Sequence, residues 1–142
     1  KALGANKLIG VEMNDYRIDL AKKLGLADYV FKPGEDTLEK ILEVTDGKGV
    51  ERAIDASAND AGRQLAIRAT REWGKIAFVG EGGTCTFNPS PDIIHGQKTI
   101  RPAFSSSGTT FCRRSTSPQF RHNRRNRFFC SISRPRNIAM QH

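Results

Sequence analysis

Apolar residues fall in short runs separated by charged, amphipathic stretches along the first hundred residues. Lys7–Glu12 (Lys-Leu-Ile-Gly-Val-Glu) is such a run, ending on an acid, and predicts a buried strand. Asn14 is placed to cap a helix with Asp15 in its first turn, Ile18, Ala21 and Leu24 repeat at helical spacing, and Gly25 suits the stop. Asp28–Phe31 reads as a second strand, closed by the Pro33-Gly34 turn. Asp36 and Glu39 form an acidic variant of the capping box before a helix with Leu38, Ile41 and Leu42 on its buried face, ended by Gly47-Lys48-Gly49. Val50–Ser57 is a third strand. A helix capped by Asn59 or Asp60 then runs to about Trp73, Gly74 stops it, and Lys75–Val79 is a fourth strand. Strands alternating with helices imply an α/β fold with a parallel sheet.

In open parallel sheets ligands sit beyond the carboxyl ends of the strands. That singles out Glu12, then Asp55-Ala56-Ser57, then Gly80-Glu81-Gly82-Gly83. An acid ending the second strand of a nucleotide-binding fold accepts hydrogen bonds from the ribose hydroxyls of an adenosine and repels a 2′-phosphate, which favours NAD over NADP. Arg17, five residues on, has the reach to lie over the adenine or beside the ribose, and weakens that preference. Taken singly, a solvated strand-end acid and a surface arginine explain these two residues equally well. The G-x-G-x-x-G fingerprint should precede Glu12 by about 20 residues, and the sequence starts too late to contain it. Its nearest look-alike, Gly80–Cys85, has Cys85 in place of the third glycine and leads into Thr-Cys-Thr-Phe-Asn-Pro rather than a helix. It reads as a loop after a late strand, either a plain glycine turn or a place where small residues let the backbone approach a flat ligand ring.

Charge divides the chain. The net charge is +8, yet residues 1–100 carry 14 basic and 15 acidic side chains, whereas residues 101–142 carry nine arginines and neither lysine nor acid. The 142 residues suffice for one domain but not comfortably for two. The chain opens on Lys1, and Lys-Ala-Leu-Gly reads as the last turn of a helix. No apolar run approaches the ~20 residues of a membrane span, and no secretory leader is legible. The three cysteines, Cys85, Cys112 and Cys130, have neither paired count nor CxxC spacing, which argues against a disulfide framework or a closed zinc site. A reducing, cytoplasmic setting is the expectation.

The succession Lys-Ala-Leu-Gly-Ala, Leu-Ile-Gly-Val-Glu, Arg17, Ala-Lys-Lys-Leu-Gly, Ala-Ile-Asp-Ala and Gly-Lys-Ile-Ala-Phe-Val-Gly resembles the zinc-type medium-chain alcohol and polyol dehydrogenases over residues 1–100. Pro89–His95 followed by Gln97–Ile100 resembles the approach to that family's sixth strand. The resemblance implies a Rossmann-type sheet in strand order 3-2-1-4-5-6, hydride transfer between an alcohol carbon and NAD, and a homo-oligomeric parent acting on a small alcohol. By it, Glu12 and Arg17 hold the adenosine ribose, Ala56 and Ser57 line the cofactor, and the backbone of Val79, Gly80 and Glu81 holds the nicotinamide carboxamide. No residue matches the family's zinc ligands, and neither the first strand nor its glycine loop is present. The expectation is therefore an incomplete doubly wound domain, split where its central strand is missing, with edges left unpaired and no activity alone. A methyltransferase-like domain also places an acid after its second strand, but the Gly-Lys-Ile-Ala-Phe-Val-Gly segment disfavours it.

After Ile100 the punctuation stops. Residues 101–142 combine nine Arg, seven Ser and three Pro with phenylalanines at 104, 111, 120, 128 and 129. They read either as a basic arm for nucleic acid or another polyanion or as a tail from an altered frame or splice joint. Loss of pattern in the middle of a family motif favours the second, and disorder is expected in both.

Overall fold

The computed structural model describes residues 4–103 and, for the backbone alone, residues 127–131. The chain runs β1 (Lys7–Val11), α1 (Asp15–Lys23), β2 (Tyr29–Phe31), α2 (Thr37–Val44), β3 (Val50–Asp55), α3 (Asp60–Ala69), β4 (Thr70–Phe78), a π-helical turn (Ser90–Ile94), β5 (Thr99–Pro102) and β6 (Arg127–Ser131). The six strands form one sheet in the order β2-β1-β6-β3-β4-β5, every neighbour parallel. The fold class is the expected one, an α/β Rossmann-type sheet.

The core lies between the sheet and helices α2 and α3. Ile9, Val11, Val50, Ala53 and Ile76 from the strands meet Ile41, Ala66, Ile67 and Ala69 from the helices, all nearly or fully buried. Local chemistry sets the element ends. Asn14 caps α1 by accepting the Arg17 N–H at 3.3 Å, and Gly25, at φ +60°, closes it. Asn59 rather than Asp60 caps α3, accepting from Gly62 N at 2.8 Å.

Several expectations are corrected. The Asp36–Glu39 box does not form: Asp36 makes no capping bond and pairs with Lys40 instead, while Thr37 Oγ1 accepts from Gly34 N at 2.7 Å. Leu24 is exposed, so α1 buries only Ile18 and Ala21. α3 ends at Ala69, well before Trp73, because Thr70 already has extended backbone and its hydroxyl donates to Ala66 O at 2.6 Å. The residues after Thr70 form an irregularity within β4: Val50 pairs with Thr70, but two residues further on Arg52 pairs with Lys75. Trp73 sits there at φ +59°, its N–H donating to Gly96 O at 2.7 Å. Gly74 is thus a bulge residue rather than a helix stop, and a Cβ on it would meet Arg71 O at 2.8 Å.

The sheet is not split. β6 pairs with β1 from Lys7↔Arg127 to Val11↔Ser131 and with β3 from Arg52↔Phe128 to Asp55↔Ser131. It takes the position that the order 3-2-1-4-5-6 gives to the first strand. β5 runs past Ile100 to Pro102, and Ala103 N donates to Phe78 O at 2.9 Å. Apart from these stretches, the segment expected to be disordered lies outside the described residues, as do its phenylalanines at 104, 111 and 120.

Candidate cofactor site at the carboxyl edge of the sheet

Because the strands are all parallel, their carboxyl ends share one edge. Phe31, Val11, Ser131, Asp55, Phe78 and Pro102 stand in register across it. Glu12, Ala56 and Val79, each one residue further, therefore come to the same rim, as the sequence predicts.

Glu12 is 6% exposed. Its Oε1 accepts from Met13 N at 2.8 Å and Asn14 N at 3.0 Å, and Arg17 Nη1 lies 3.4 Å from Oε2. The carboxylate is thus held by its own loop and by the α1 arginine, which stands where the sequence placed it. An ionised carboxylate offers about four lone-pair sites, so capacity is left for a hydroxyl donor. Lys32, exposed at the end of β2, pairs with Asp15 at 2.8 Å and does not reach Glu12.

The β3 end is organised by Asp55, which is fully buried. Its Oδ1 accepts from Ser57 N at 3.1 Å and Ser57 Oγ at 2.5 Å. Its backbone carbonyl accepts from Val79 N at 2.8 Å and Gly80 N at 3.2 Å, tying the β4 loop to the β3 loop. The amides of Val79 and Gly80 are therefore engaged within the protein. Ala56 and Ser57 are partly exposed at the rim, and Glu81 is exposed.

Arg63 is the residue that the sequence reading missed. From α3 it reaches across to donate to Thr84 O at 2.9 Å, Gly80 O at 2.9 Å and Gly82 O at 2.7 Å, while its Nε lies 3.6 Å from Asp55 Oδ2. Its guanidinium also stacks over Phe78, 5.4 Å from the ring centroid. The sequence signal was available: an arginine three and four residues before Ala66 and Ile67 lies on the apolar face of α3, where an unpaired charge is costly.

The glycines of residues 80–83 have a defined task. A Cβ on Gly80 would lie 2.6 Å from Ala58 N, and one on Gly83 (φ +66°) would overlap the Ala58 carbonyl oxygen. What approaches closely at these two positions is the backbone of the β3 loop. Cys85, beyond them, has its thiol pKa raised by burial, with Asp60 adding to the effect.

Comparison with known proteins agrees with this architecture. The family model described as zinc-binding dehydrogenase matches residues 1–120. The chain belongs to the zinc-binding dehydrogenase family. It is 40% identical over 101 residues to the zinc-type alcohol dehydrogenase-like protein YphC of Escherichia coli, covering 70% of the chain and 28% of that protein. It is 35% identical over 80 residues to sorbitol dehydrogenase of Bacillus subtilis, covering 56% of the chain and 23% of that enzyme. Among solved structures, benzyl alcohol dehydrogenase from Acinetobacter calcoaceticus superposes with a TM-score of 0.65 at 33% identity, covering 72% of the chain and 29% of that structure. The chain thus spans under a third of the length of each of these three proteins. The family is one of oxidoreductases, which decides against the methyltransferase-like alternative.

The family name implies a metal. Among the described residues no group of three or more His, Cys, Asp or Glu side chains is placed to hold one. These residues do not fit a zinc ion. No helix among them is long and apolar enough to cross a membrane.

Proposed function

We propose that residues 1–100 are the larger part of the coenzyme domain of an NAD-dependent alcohol or polyol dehydrogenase, and that the chain leaves the family pattern in its arginine-rich C-terminal segment, beyond the family match that ends at residue 120. The carrying observation is Glu12: a buried carboxylate at the end of β1, fixed by two backbone amides and Arg17, on the same rim as Ser57 and Gly80. NAD fits the two ends of this rim. At one end Glu12 accepts from the ribose hydroxyls and Arg17 flanks the adenosine. At the other, Ala56 and Ser57 line the cofactor, and the backbone of Val79–Glu81 receives the carboxamide through groups other than the Val79 and Gly80 amides, which are bonded to Asp55 O. NAD supplies the hydride-accepting ring when bound, and this chain's residues bind and orient it.

Relatives named as sorbitol and threonine dehydrogenases support a small alcohol or polyol as substrate of the whole protein. Its assembly as a homo-oligomer and a cytoplasmic setting belong to the same reading. The phosphate end is the weak part. No glycine follows Gly108 in the sequence, so β6 cannot lead into a glycine loop. We therefore infer weak coenzyme binding and no turnover by residues 1–142 alone.

Saturation-transfer NMR of the chain with NADH and with ADP-ribose tests the reading. Transfer to the adenosine ribose protons, lost in Glu12→Ala, supports it. No transfer from either ligand, or transfer unchanged in Glu12→Ala, refutes it.

A further inference from the structure

We propose that the gap between β1 and β3 is an acceptor for one parallel strand, filled in cis by residues 127–131, which makes the C-terminal segment part of the folding unit. β1 uses one edge on β2 and β3 uses one edge on β4. Their other edges face each other with one strand between them: Leu8 and Arg52 both pair with Phe128, Ile9 and Ala53 with Phe129, Gly10 and Ile54 with Cys130, Val11 and Asp55 with Ser131. The residues bordering the gap are core residues. Ile9, Ala53 and Asp55 are at most 1% exposed. Backbone N–H and C=O groups along such edges need partners, because water reaches a sheet centre poorly. An extended segment satisfies both edges at once, and residues 127–131 do so in the parallel sense.

The occupant comes from this chain, and the connection allows it. Residues 103–126 link β5 to β6, and an extended linker of that length reaches roughly 80 Å. The two strands lie three positions apart in the sheet, or roughly 15 Å at the usual spacing. The filled gap closes the sheet without supplying a phosphate loop, so folding and coenzyme binding are separable in this chain.

The test uses the full chain with Phe129→Pro, which removes an N–H from the middle of β6, and Thr110→Pro in the linker as the control. Hydrogen exchange is followed in residues 7–11 and 50–55, and the molar mass is measured by light scattering. The expected result is at least tenfold faster exchange in both segments for Phe129→Pro, near wild-type exchange for Thr110→Pro, and a monomeric wild-type chain. Global loss of protection in Phe129→Pro alone has the same meaning, since a segment outside the folding unit could not cause it. Restored protection on adding a peptide of residues 124–134 to Phe129→Pro would further support the acceptor. Unchanged exchange in both segments would overturn the proposal. A dimer whose interstrand contacts at Ile9 and Ala53 are intermolecular in isotope-filtered NMR would overturn filling in cis. None of these readings depends on coenzyme, so failure of the NAD assignment leaves them intact.

Discussion

Replacing Arg63 with Met should remove a large share of the domain's stability, and the structure indicates how much. Asp55 is fully buried and Arg63 is 7% exposed. Asp55 Oδ1 has its partners in Ser57, but Oδ2 has no hydrogen bond among the described residues and faces Arg63 Nε at 3.6 Å. That separation is an ion pair rather than a hydrogen bond. The guanidinium is thus the compensating charge for Oδ2, and without it a buried carboxylate stands alone. Breaking a buried pair from one side costs about 3–5 kcal/mol. The carbonyls of Gly80, Gly82 and Thr84 also lose a donor, but they are near the surface and water replaces most of that. Against a total of roughly 5–15 kcal/mol for a domain, Arg63→Met should lower the melting temperature by about 12–40 °C.

Urea unfolding of wild type, Arg63→Met, Asp55→Asn and the double variant, followed by far-UV circular dichroism, measures the effect. Trp73, the chain's single tryptophan, is 70% exposed and would report unfolding poorly by fluorescence. The double variant should be more stable than the sum of the single losses implies, by about 1–3 kcal/mol of coupling. A loss under ~1 kcal/mol in Arg63→Met, or strict additivity in the cycle, would refute the assignment of Arg63 as the charge partner of Asp55.

Three further outcomes are expected. Glu12→Ala should weaken NADH binding by roughly 10–100-fold, from the ~1.5–3 kcal/mol of hydrogen bonds to a charged acceptor, and narrow the gap to NADPH; parallel titrations showing an undiminished NADH preference would contradict it. Purified chain given zinc, NAD and an alcohol should form no NADH, and turnover that co-purifies with the protein would be evidence to the contrary. Cys85, whose raised pKa leaves less thiolate at neutral pH, should alkylate more slowly than a model thiol at pH 7 and gain on it as pH rises, measured by mass spectrometry of the 85-containing peptide.

The strands β1 and β3, the cap Asn14, the start of α3 at Asn59 or Asp60, and the rim of Glu12, Ser57 and Gly80 were legible because local patterns determine them. Apolar runs bounded by caps and glycines need no tertiary information. The boundary between α3 and β4 was not legible, because Arg71, Glu72 and Trp73 have acceptable helix propensity. The competing factor is tertiary: Thr70 pairs with Val50 and Trp73 bonds to Gly96. The Asp36–Glu39 box failed for a related reason, since Lys40 and Thr37 supplied nearer partners. Arg63 was overlooked because an arginine on a helix is ordinarily a surface residue, and its role needs the loop after β4 folded beneath it. The glycines at 80 and 83 were seen, but their reason, the nearness of Ala58, belongs to the packing of two loops.

The centre of the sheet shows how far a strand's place depends on its own sequence. β1 leads into Glu12 and β3 ends on Asp55, and both acids engage loops of the rim, so each of these strands is specified by the loop at its carboxyl end. β6 is specified differently. The demand on it is set by the two edges it must satisfy, and those ask only for five extended residues without proline in the middle. Arg-Phe-Phe-Cys-Ser meets that demand, since none of its five residues is proline or glycine. A segment of unselected origin could meet it as well, so an altered reading frame after Ile100 and a structural role for residues 127–131 are compatible. Translation of the coding DNA in the other two frames from codon 101 separates them. A restored strand-helix pattern rich in acids and lysines in one frame would make β6 a substitute for the strand the family places there. If neither frame nor a splice alternative restores it, the arginine-rich segment is native, and binding of a polyanion with steep salt dependence becomes the next property to measure.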